Sequence, residues 1–306
     1  MISDFTLSAP FHTPLNCVPM TDHLLNFLLV VVTRSDVWLV AGVLLAWQVA
    51  RRLVRGTGVS APEIDGLVGT CLVTVFVLLL AVTLAHAGTG SPHPWTYWLR
   101  PRGALAIAFI GLAATTMLYA RVRRIPCATL ADASLPAALL LLVCARIGCF
   151  MRGCCWGDLC ADPVFLARRL DPATLAQVHS ISWLCPTNWP LAVTFPRGTP
   201  AYVDQVLMGL IPQPELRSLP CHPVQLYEAA LVAVLAGALL WHYPRRRTPW
   251  QVASMGLGGY AVLRFGLEFL RADHPAVLWG LTLMQVISAL GAVTAVVWWR
   301  IAARRH

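Results

Sequence analysis

The chain has 306 residues, of which 58% are hydrophobic and only 12% are charged, and its mean hydropathy is +0.66. This composition excludes an ordinary soluble domain and predicts an integral membrane protein. The formal charge of +9 does not indicate nucleic-acid binding, because the basic residues are arginines in short clusters at the ends of apolar runs. No nucleic-acid partner is therefore expected, since such a partner calls for a continuous basic face.

The apolar runs predict the membrane segments. The first run, 21–33, is too short to cross a bilayer and is expected to be a helix at the outer interface. Seven longer runs follow, and their lengths suit membrane-spanning helices of roughly 20 residues. The predicted spans are 36–53, 64–86, 103–120, 129–149, 224–243, 251–270 and 278–299. The expected fold is an all-α polytopic membrane protein with seven transmembrane helices, forming a single membrane domain over 1–306.

The arginines predict the orientation of these spans, because short loops rich in arginine stay in the cytoplasm. Alternate loops and the tail carry three each: Arg51, Arg52 and Arg55, then Arg121, Arg123 and Arg124, then Arg245, Arg246 and Arg247, and finally Arg300, Arg304 and Arg305. The N-terminus is therefore predicted outside and the C-terminus in the cytoplasm. The segment 152–222 carries nine of the 22 prolines. It is expected to be a loop-rich extracytoplasmic cap with short helices, one of them at 171–179.

The segment 146–158, RIGCFMRGCCWGD, follows the fourth predicted span directly and is the expected centre of function. A charge inside a bilayer segment costs roughly 2.5–3.5 kcal/mol at mid-depth. Arg146 is therefore expected to face a protein interior, a cavity or an anionic ligand. Gly153 and Gly157 allow sharp turns or close approaches of the backbone.

A second polar group lies on the sixth predicted span. Tyr260, Arg264, Glu268 and Arg271 recur at helical spacing and are expected on one helix face, which cannot face lipid. With Arg146 opposite, the arginines and the tyrosine would form an anion clamp that suits a phosphodiester, such as a phospholipid head group. The alternative is that Arg264 and Glu268 form a buried ion pair that only holds two helices together.

Three separated blocks resemble the signature regions of bacterial prolipoprotein diacylglyceryl transferases: RIGCFMRGCCWGD at 146–158, CHPVQLYEA at 221–229 and GYAVLRFGLEFLRADHP at 259–275. The resemblance implies a seven-span enzyme of the bacterial cytoplasmic membrane. Such an enzyme transfers a diacylglyceryl group from phosphatidylglycerol to the thiol of a prolipoprotein lipobox cysteine, or here to another thiol acceptor, and releases glycerol phosphate. No cofactor is expected.

The resemblance, together with the residue chemistry, assigns the candidate site residues. The expected catalytic residues are Arg146, Cys149, His222, Tyr260 and Arg264. The expected substrate-binding residues are Cys154, Gly157, Gln225, Tyr227, Glu268 and Arg271.

The chain departs from the family pattern at several positions. Cys149 stands where the family has an asparagine, and Cys154 stands where it has an acidic residue. The segment 100–108 reads RPRGALAIA and lacks the family histidine, and the family tyrosine at the entry to the first span has no clear counterpart. His222 is therefore considered as the general base, against a purely structural role, with His86 and His93 as further candidates.

Six cysteines are expected on or near the outer side: Cys149, Cys154, Cys155, Cys160, Cys185 and Cys221. Three interpretations stay open. The cysteines could form disulfides that staple the cap, or a thiol near Arg146 could carry a transferred group or a redox equivalent. A metal could also be bound by Cys154, Cys155, Cys160 and His222. Adjacent cysteines are not the usual spacing of metal ligands, however, and no metal is assigned. The alternative functions are accordingly a diverged paralogue with thiol redox or sulfur-group chemistry, and a non-catalytic lipid-binding membrane protein.

Overall fold

A computed structural model describes residues 35–88, 101–178, 187, 189–211, 215–271, 276–278 and 280–303. The helices in these ranges are α1 (Ser35–Leu53), α2 (Ala61–Gly88), α3 (Pro101–Val122), α4 (Cys127–Arg152), α5 (Pro163–Ala167), α6 (Pro172–Val178), α7 (Pro200–Leu207), α8 (Val224–His242), α9 (Gln251–Leu267) and α10 (Leu283–Ala303). Two short strands, β1 (Ala276–Leu278) and β2 (Leu281–Thr282), form an antiparallel hairpin before α10. The predicted interfacial helix at 21–33 lies outside the described residues.

Each of the seven predicted spans falls on a long helix, namely α1 to α4 and α8 to α10. Within the described residues, four segments are long and apolar enough to cross a membrane: Ala61–Leu78, Cys127–Arg152, Val224–Arg245 and Leu283–Arg300. The chain is therefore a helical membrane protein. The outward faces of its helices are apolar, as contact with lipid requires, with Phe76 66% and Val234 72% exposed.

Several predicted ends differ from those of the helices, and two of the differences have a clear physical reason. The sixth predicted span continues to 270, but α9 stops at Leu267 and tightens into a 3₁₀ turn over Glu268–Leu270. The seventh predicted span starts at 278, whereas α10 starts at Leu283. The apolar residues before Leu283 form the β1–β2 hairpin around Gly280, whose φ is +78°. Short apolar runs suit a strand as well as a helix, so their periodicity does not decide between the two.

Helix α4 is central to the bundle and packs against α1, α8 and α9. Leu130, Leu139 and Leu142 on α4 are buried with Val232 and Leu239 on α8, and these contacts form the core of the bundle. Because lipid is as apolar as these side chains, the contacts stabilise the bundle through close van der Waals packing between the helices. The packing fixes the end of α4, where the candidate site begins.

The described residues between α4 and α8 have an apolar cluster of their own. Trp156, Leu159, Leu166, Phe195 and Leu210 are buried in this cluster. The predicted short helix at 171–179 is confirmed as α6. Its start is fixed by the carboxylate of the residue before it, which accepts hydrogen bonds from the backbone N–H groups of residues 173 and 174.

Candidate active site

Arg146 on α4 is the charged centre of the site and is buried, with 3% of its surface exposed. Its Nη2 atom lies 3.0 Å from Oε1 of Glu228 on α8. Tyr260 on α9 donates its hydroxyl to the same carboxylate oxygen, also at 3.0 Å. One oxygen atom thus joins three helices, and the prediction that Arg146 faces a protein interior is confirmed.

Glu228 has a larger part in this arrangement than the sequence suggested. It lies in the 221–229 block, but its chemistry had not been assigned. The signal was present, because a carboxylate inside the apolar run of the fifth span is as costly in a bilayer as Arg146 and needs a partner. What the sequence could not supply was the pairing, which depends on how α4 packs against α8.

The guanidinium of Arg146 is only partly satisfied by Glu228. Its Nε and Nη1 atoms are buried and have no hydrogen-bond partner among the residues that the structure describes. Buried donors without acceptors are costly, and a planar guanidinium matches a ligand that presents several anionic oxygens. This side of Arg146 is therefore suited to a phosphate or a carboxylate.

Arg264 and Glu268 form the second charged pair, with Nη1 and Oε2 separated by 2.5 Å. The pair lies within one turn at the end of α9, so the ion pair does not itself join two helices. The link to α10 is made by Thr282, whose hydroxyl donates to Oε1 of Glu268 at 2.7 Å. The buried ion pair that the sequence offered as the alternative is formed, and Glu268 connects it to the start of α10 through Thr282.

Arg271 departs from its predicted position. Because α9 ends at Leu267, Arg271 is not on the helical face of Tyr260 and Arg264 but in extended backbone, with φ −102° and ψ 128°. It pairs as an isolated antiparallel bridge with Gly157. The buried Arg271 is thus brought to the 146–158 segment by backbone pairing and not by helical periodicity.

Gly157 allows three segments to meet. Its N–H donates to the carbonyl of His222 at 3.0 Å, and the next N–H, of Asp158, donates to the carbonyl of Leu270 at 2.9 Å. A Cβ at Gly157 would lie 2.3 Å from Cγ2 of Val224 and 2.6 Å from the Leu270 oxygen. No side chain fits in this space, so the close backbone approach expected for this glycine is confirmed.

His222 is fully buried where this segment meets α8. Its Nδ1 lies 3.2 Å from the hydroxyl of Tyr227, and Trp189 donates its indole N–H to that hydroxyl at the same distance. The ring of His222 also contacts those of Trp189 and Tyr227. These contacts match the structural role considered for His222, and they place Tyr227 beside it.

Three of the cysteines form a thiol cluster, defined here as Cys149, Cys154 and Cys155, whose sulfur atoms all lie within 4.8 Å of one another. Gln225 donates its side-chain amide to the carbonyl of Cys154 at 2.6 Å and so fixes the loop that carries two of them. The cluster includes Cys149 in place of the Cys160 and His222 considered for a metal. The disulfide interpretation is not met for Cys149, Cys154, Cys155 and Cys221, whose thiols are free, while Cys185 lies outside the described residues.

The two thiols of the loop, Cys154 and Cys155, differ in acidity. The pKa of Cys155 is lowered well below its ordinary value by hydrogen bonds that the Cys149 and Cys154 thiols donate to its thiolate, and further by the charges of Arg271 and Arg146. The pKa of Cys154 is raised, because its own hydrogen bonds with Cys149 and Cys155 favour the protonated form. Cys155 is therefore the more acidic of the two loop thiols.

His86 and His93, the further candidates for a general base, stay predictions. His93 lies outside the described residues, and His86 lies in the last turn of α2, whose side chains are not described there. The segment that lacks the family histidine, 100–108, enters α3.

Comparison with known proteins identifies what the chain is similar to. A family model described as prolipoprotein diacylglyceryl transferase matches residues 31–301. A protein of Neisseria meningitidis serogroup C, named phosphatidylglycerol–prolipoprotein diacylglyceryl transferase, is 30% identical over 168 residues, which cover 53% of this chain and 50% of that protein. A protein of the same name from Ralstonia pickettii is 32% identical over 182 residues, covering 58% and 55%. A third, from Beijerinckia indica, is 29% identical over 246 residues, covering 76% and 74%. The chain thus spans about half the length of the first two of these relatives.

Proposed function

Because the chain belongs to the prolipoprotein diacylglyceryl transferase family, we propose that it transfers a diacylglyceryl group from phosphatidylglycerol to the cysteine thiol of a prolipoprotein. The proposal rests above all on Arg146, a buried arginine with two side-chain nitrogens that no described residue satisfies. Such a group binds anionic oxygens strongly in a site of low dielectric constant.

Arg264 and Tyr260 complete the proposed phosphate site. The charges of both Arg146 and Arg264 reach the hydroxyl of Tyr260, so the three groups share one electrostatic environment. In the proposed arrangement the two arginines hold the phosphate of phosphatidylglycerol, and Tyr260 orients it. Glu228 and Glu268 hold the arginines in place through the ion pairs described above.

The reaction is a displacement at carbon. The acceptor thiolate attacks the glyceryl carbon that carries the phosphate oxygen, a carbon–sulfur bond forms, and the carbon–oxygen bond breaks. Glycerol phosphate leaves with the negative charge, which the two arginines stabilise as it develops. The thiol proton passes to a base, for which His222 or a thiolate of the thiol cluster is the candidate.

The proposal includes an arrangement in the membrane. Helices α1 to α4 and α8 to α10 span the bacterial cytoplasmic membrane, with the N-terminus outside, the C-terminus in the cytoplasm and residues 152–222 as an outer cap. The arginine clusters support it, since they fall at the C-terminal ends of α1, α3, α8 and α10. The site lies at the opposite end of the bundle, where a secreted acceptor would meet it.

The test is a transfer reaction with the purified protein in liposomes that contain labelled phosphatidylglycerol and a lipobox peptide. The expected product is the peptide with a thioether-linked diacylglyceryl group, detected by mass spectrometry together with glycerol phosphate. A peptide with serine in place of the cysteine is the control and should stay unmodified. A folded protein that binds the lipid but forms no product would refute the proposal and favour the lipid-binding alternative.

One observation favours a second function, thiol redox or sulfur-group chemistry: the three sulfur atoms of the thiol cluster lie within 4.8 Å. The substitution Cys149→Asn separates the two functions. It introduces the residue that the family has at this position, so it should preserve diacylglyceryl transfer, whereas chemistry that needs this thiol would be lost.

A further inference from the structure

The thiol cluster has the spacing of a metal site. A zinc–sulfur bond of about 2.3 Å in tetrahedral geometry places two sulfur ligands about 3.8 Å apart. The sulfur atoms of Cys154 and Cys155 are already 4.0 Å apart, and all three sulfurs lie within 4.8 Å of one another. Side-chain rotations that move each sulfur atom by less than about 1 Å would therefore bring the three sulfur atoms around one ion.

The loop that presents these sulfurs is held in an unusual conformation. Helix α4 ends at Arg152 and is capped by Gly153, which has φ +71° and donates its N–H to the carbonyls of Cys149 and Phe150. Cys155 follows with φ +60°, a left-handed conformation that side-chain-bearing residues adopt where their surroundings fix it. Gln225 holds the same loop through the Cys154 carbonyl. The backbone thus turns two thiols back towards the third before any ligand arrives.

The charges around the cluster suit a bound metal thiolate. Three thiolates on a divalent ion carry one net negative charge, which is costly to bury without a partner. Arg146 and Arg271 are both buried, with 3% and 5% of their surfaces exposed, and the charges of both act on the sulfur of Cys155. Cys149 is only partly buried, which leaves a side from which an ion can enter.

We propose that Cys149, Cys154 and Cys155 bind one thiophilic divalent ion of the zinc class through three thiolates. A disulfide is the competing use of the same thiols, but it is a poor fit for the adjacent pair. The Cα atoms of consecutive residues lie about 3.8 Å apart, below the usual range of about 4.4–6.8 Å for a disulfide. A disulfide would also use two thiols and leave the third, whereas an ion uses all three.

The experiment is a cadmium titration of the full-length, reduced protein in detergent, with no lipid or acceptor present. Cadmium is the probe because its thiolate complexes absorb in the ultraviolet, and native mass spectrometry gives the number of ions bound. The wild-type protein should bind one ion with the absorption of a three-thiolate complex. Cys155→Ser should weaken binding by more than the roughly 10–100-fold that loss of an outer-shell partner causes, because it removes a ligand.

Two further variants serve as controls. Cys127→Ser changes a cysteine in the first turn of the same helix, about 33 Å from Cys149 at 1.5 Å per residue, and should bind as the wild type does. Cys149→Asn carries the family residue and should keep the fold while losing affinity. The proposal is overturned if these two variants bind cadmium equally, or if Cys155→Ser binds as tightly as the wild type. It is also overturned if the protein as purified without reductant contains a disulfide within the cluster and the reduced protein binds no ion.

Discussion

Replacing Glu228 by leucine removes the carboxylate that Arg146 and Tyr260 share. The Arg146–Glu228 pair is separated by 3.0 Å, and its side chains are only 4% and 0% exposed. Breaking a pair this deeply buried leaves an uncompensated charge and costs about 3–5 kcal/mol. Helix α4, which carries Arg146, also provides a matched control, because its Arg152 lies 3.1 Å from Asp36 on α1 but these side chains are 59% and 64% exposed. Asp36→Ala should therefore cost no more than about 1 kcal/mol.

The assay is reversible unfolding in mixed micelles by titration with a denaturing detergent, which gives the free energy of unfolding of each variant. A double variant, Arg146→Met with Glu228→Leu, removes both charges and should recover most of the stability that Glu228→Leu loses. The reasoning is refuted if Glu228→Leu costs no more than Asp36→Ala, or if the double variant loses the sum of the two single effects.

Three further predictions concern the packing and the membrane arrangement. Gly157→Ala should destabilise the protein by about 1–3 kcal/mol through overpacking. Gly266→Ala should be tolerated, because a Cβ at Gly266 meets nothing within 4 Å. Thermal unfolding compares the two variants, and equal losses of stability would contradict the close approach at Gly157. Tyr260→Phe should cost about 1.5–3 kcal/mol by removing a hydrogen bond to a charged group, measured in the same detergent titration, and no loss would mean that this hydrogen bond is not formed. Alkaline phosphatase fused after Gly198 should be active and after Arg247 inactive, and the reverse pattern would invert the proposed orientation.

How far the sequence predicts the site depends on which force fixes each residue. Arg146 and Tyr260 stand out because polar groups in apolar runs must turn inward, and the structure brings them to one carboxylate. The ion pair of Arg264 and Glu268 follows from helical spacing. These features are local or are dictated by the membrane, so composition and periodicity are enough to find them.

The position of Arg271 shows where such reasoning fails. Extending the helical period past Leu267 puts Arg271 beside Arg264, but nothing in the sequence EFLRAD marks the end of the helix. The helix ends there because the carbonyl of Leu270 accepts the N–H of Asp158 and Arg271 pairs with Gly157. These contacts come from a segment more than a hundred residues earlier, so tertiary packing and not local propensity sets this boundary.

The sequence also did not predict that the three thiols of the thiol cluster lie close together. Cys149 lies on a helix and Cys155 in the loop beyond it, and their proximity depends on the left-handed backbone at Gly153 and Cys155. A glycine can be expected to take this conformation, but a cysteine cannot. The sequence therefore showed that thiols were concentrated here without showing which of them meet.

The most direct test of the proposed phosphate site is the rate of diacylglyceryl transfer by Arg264→Ala, measured beside Arg152→Ala in the same liposomes. Arg264 is buried and Arg152 is exposed, so the two variants remove the same group from opposite environments. Loss of a group that stabilises developing charge is expected to reduce the rate by about 10²–10³-fold for Arg264→Ala, with Arg152→Ala close to the wild type. A folded Arg264→Ala protein that transfers the lipid at the wild-type rate would contradict the account.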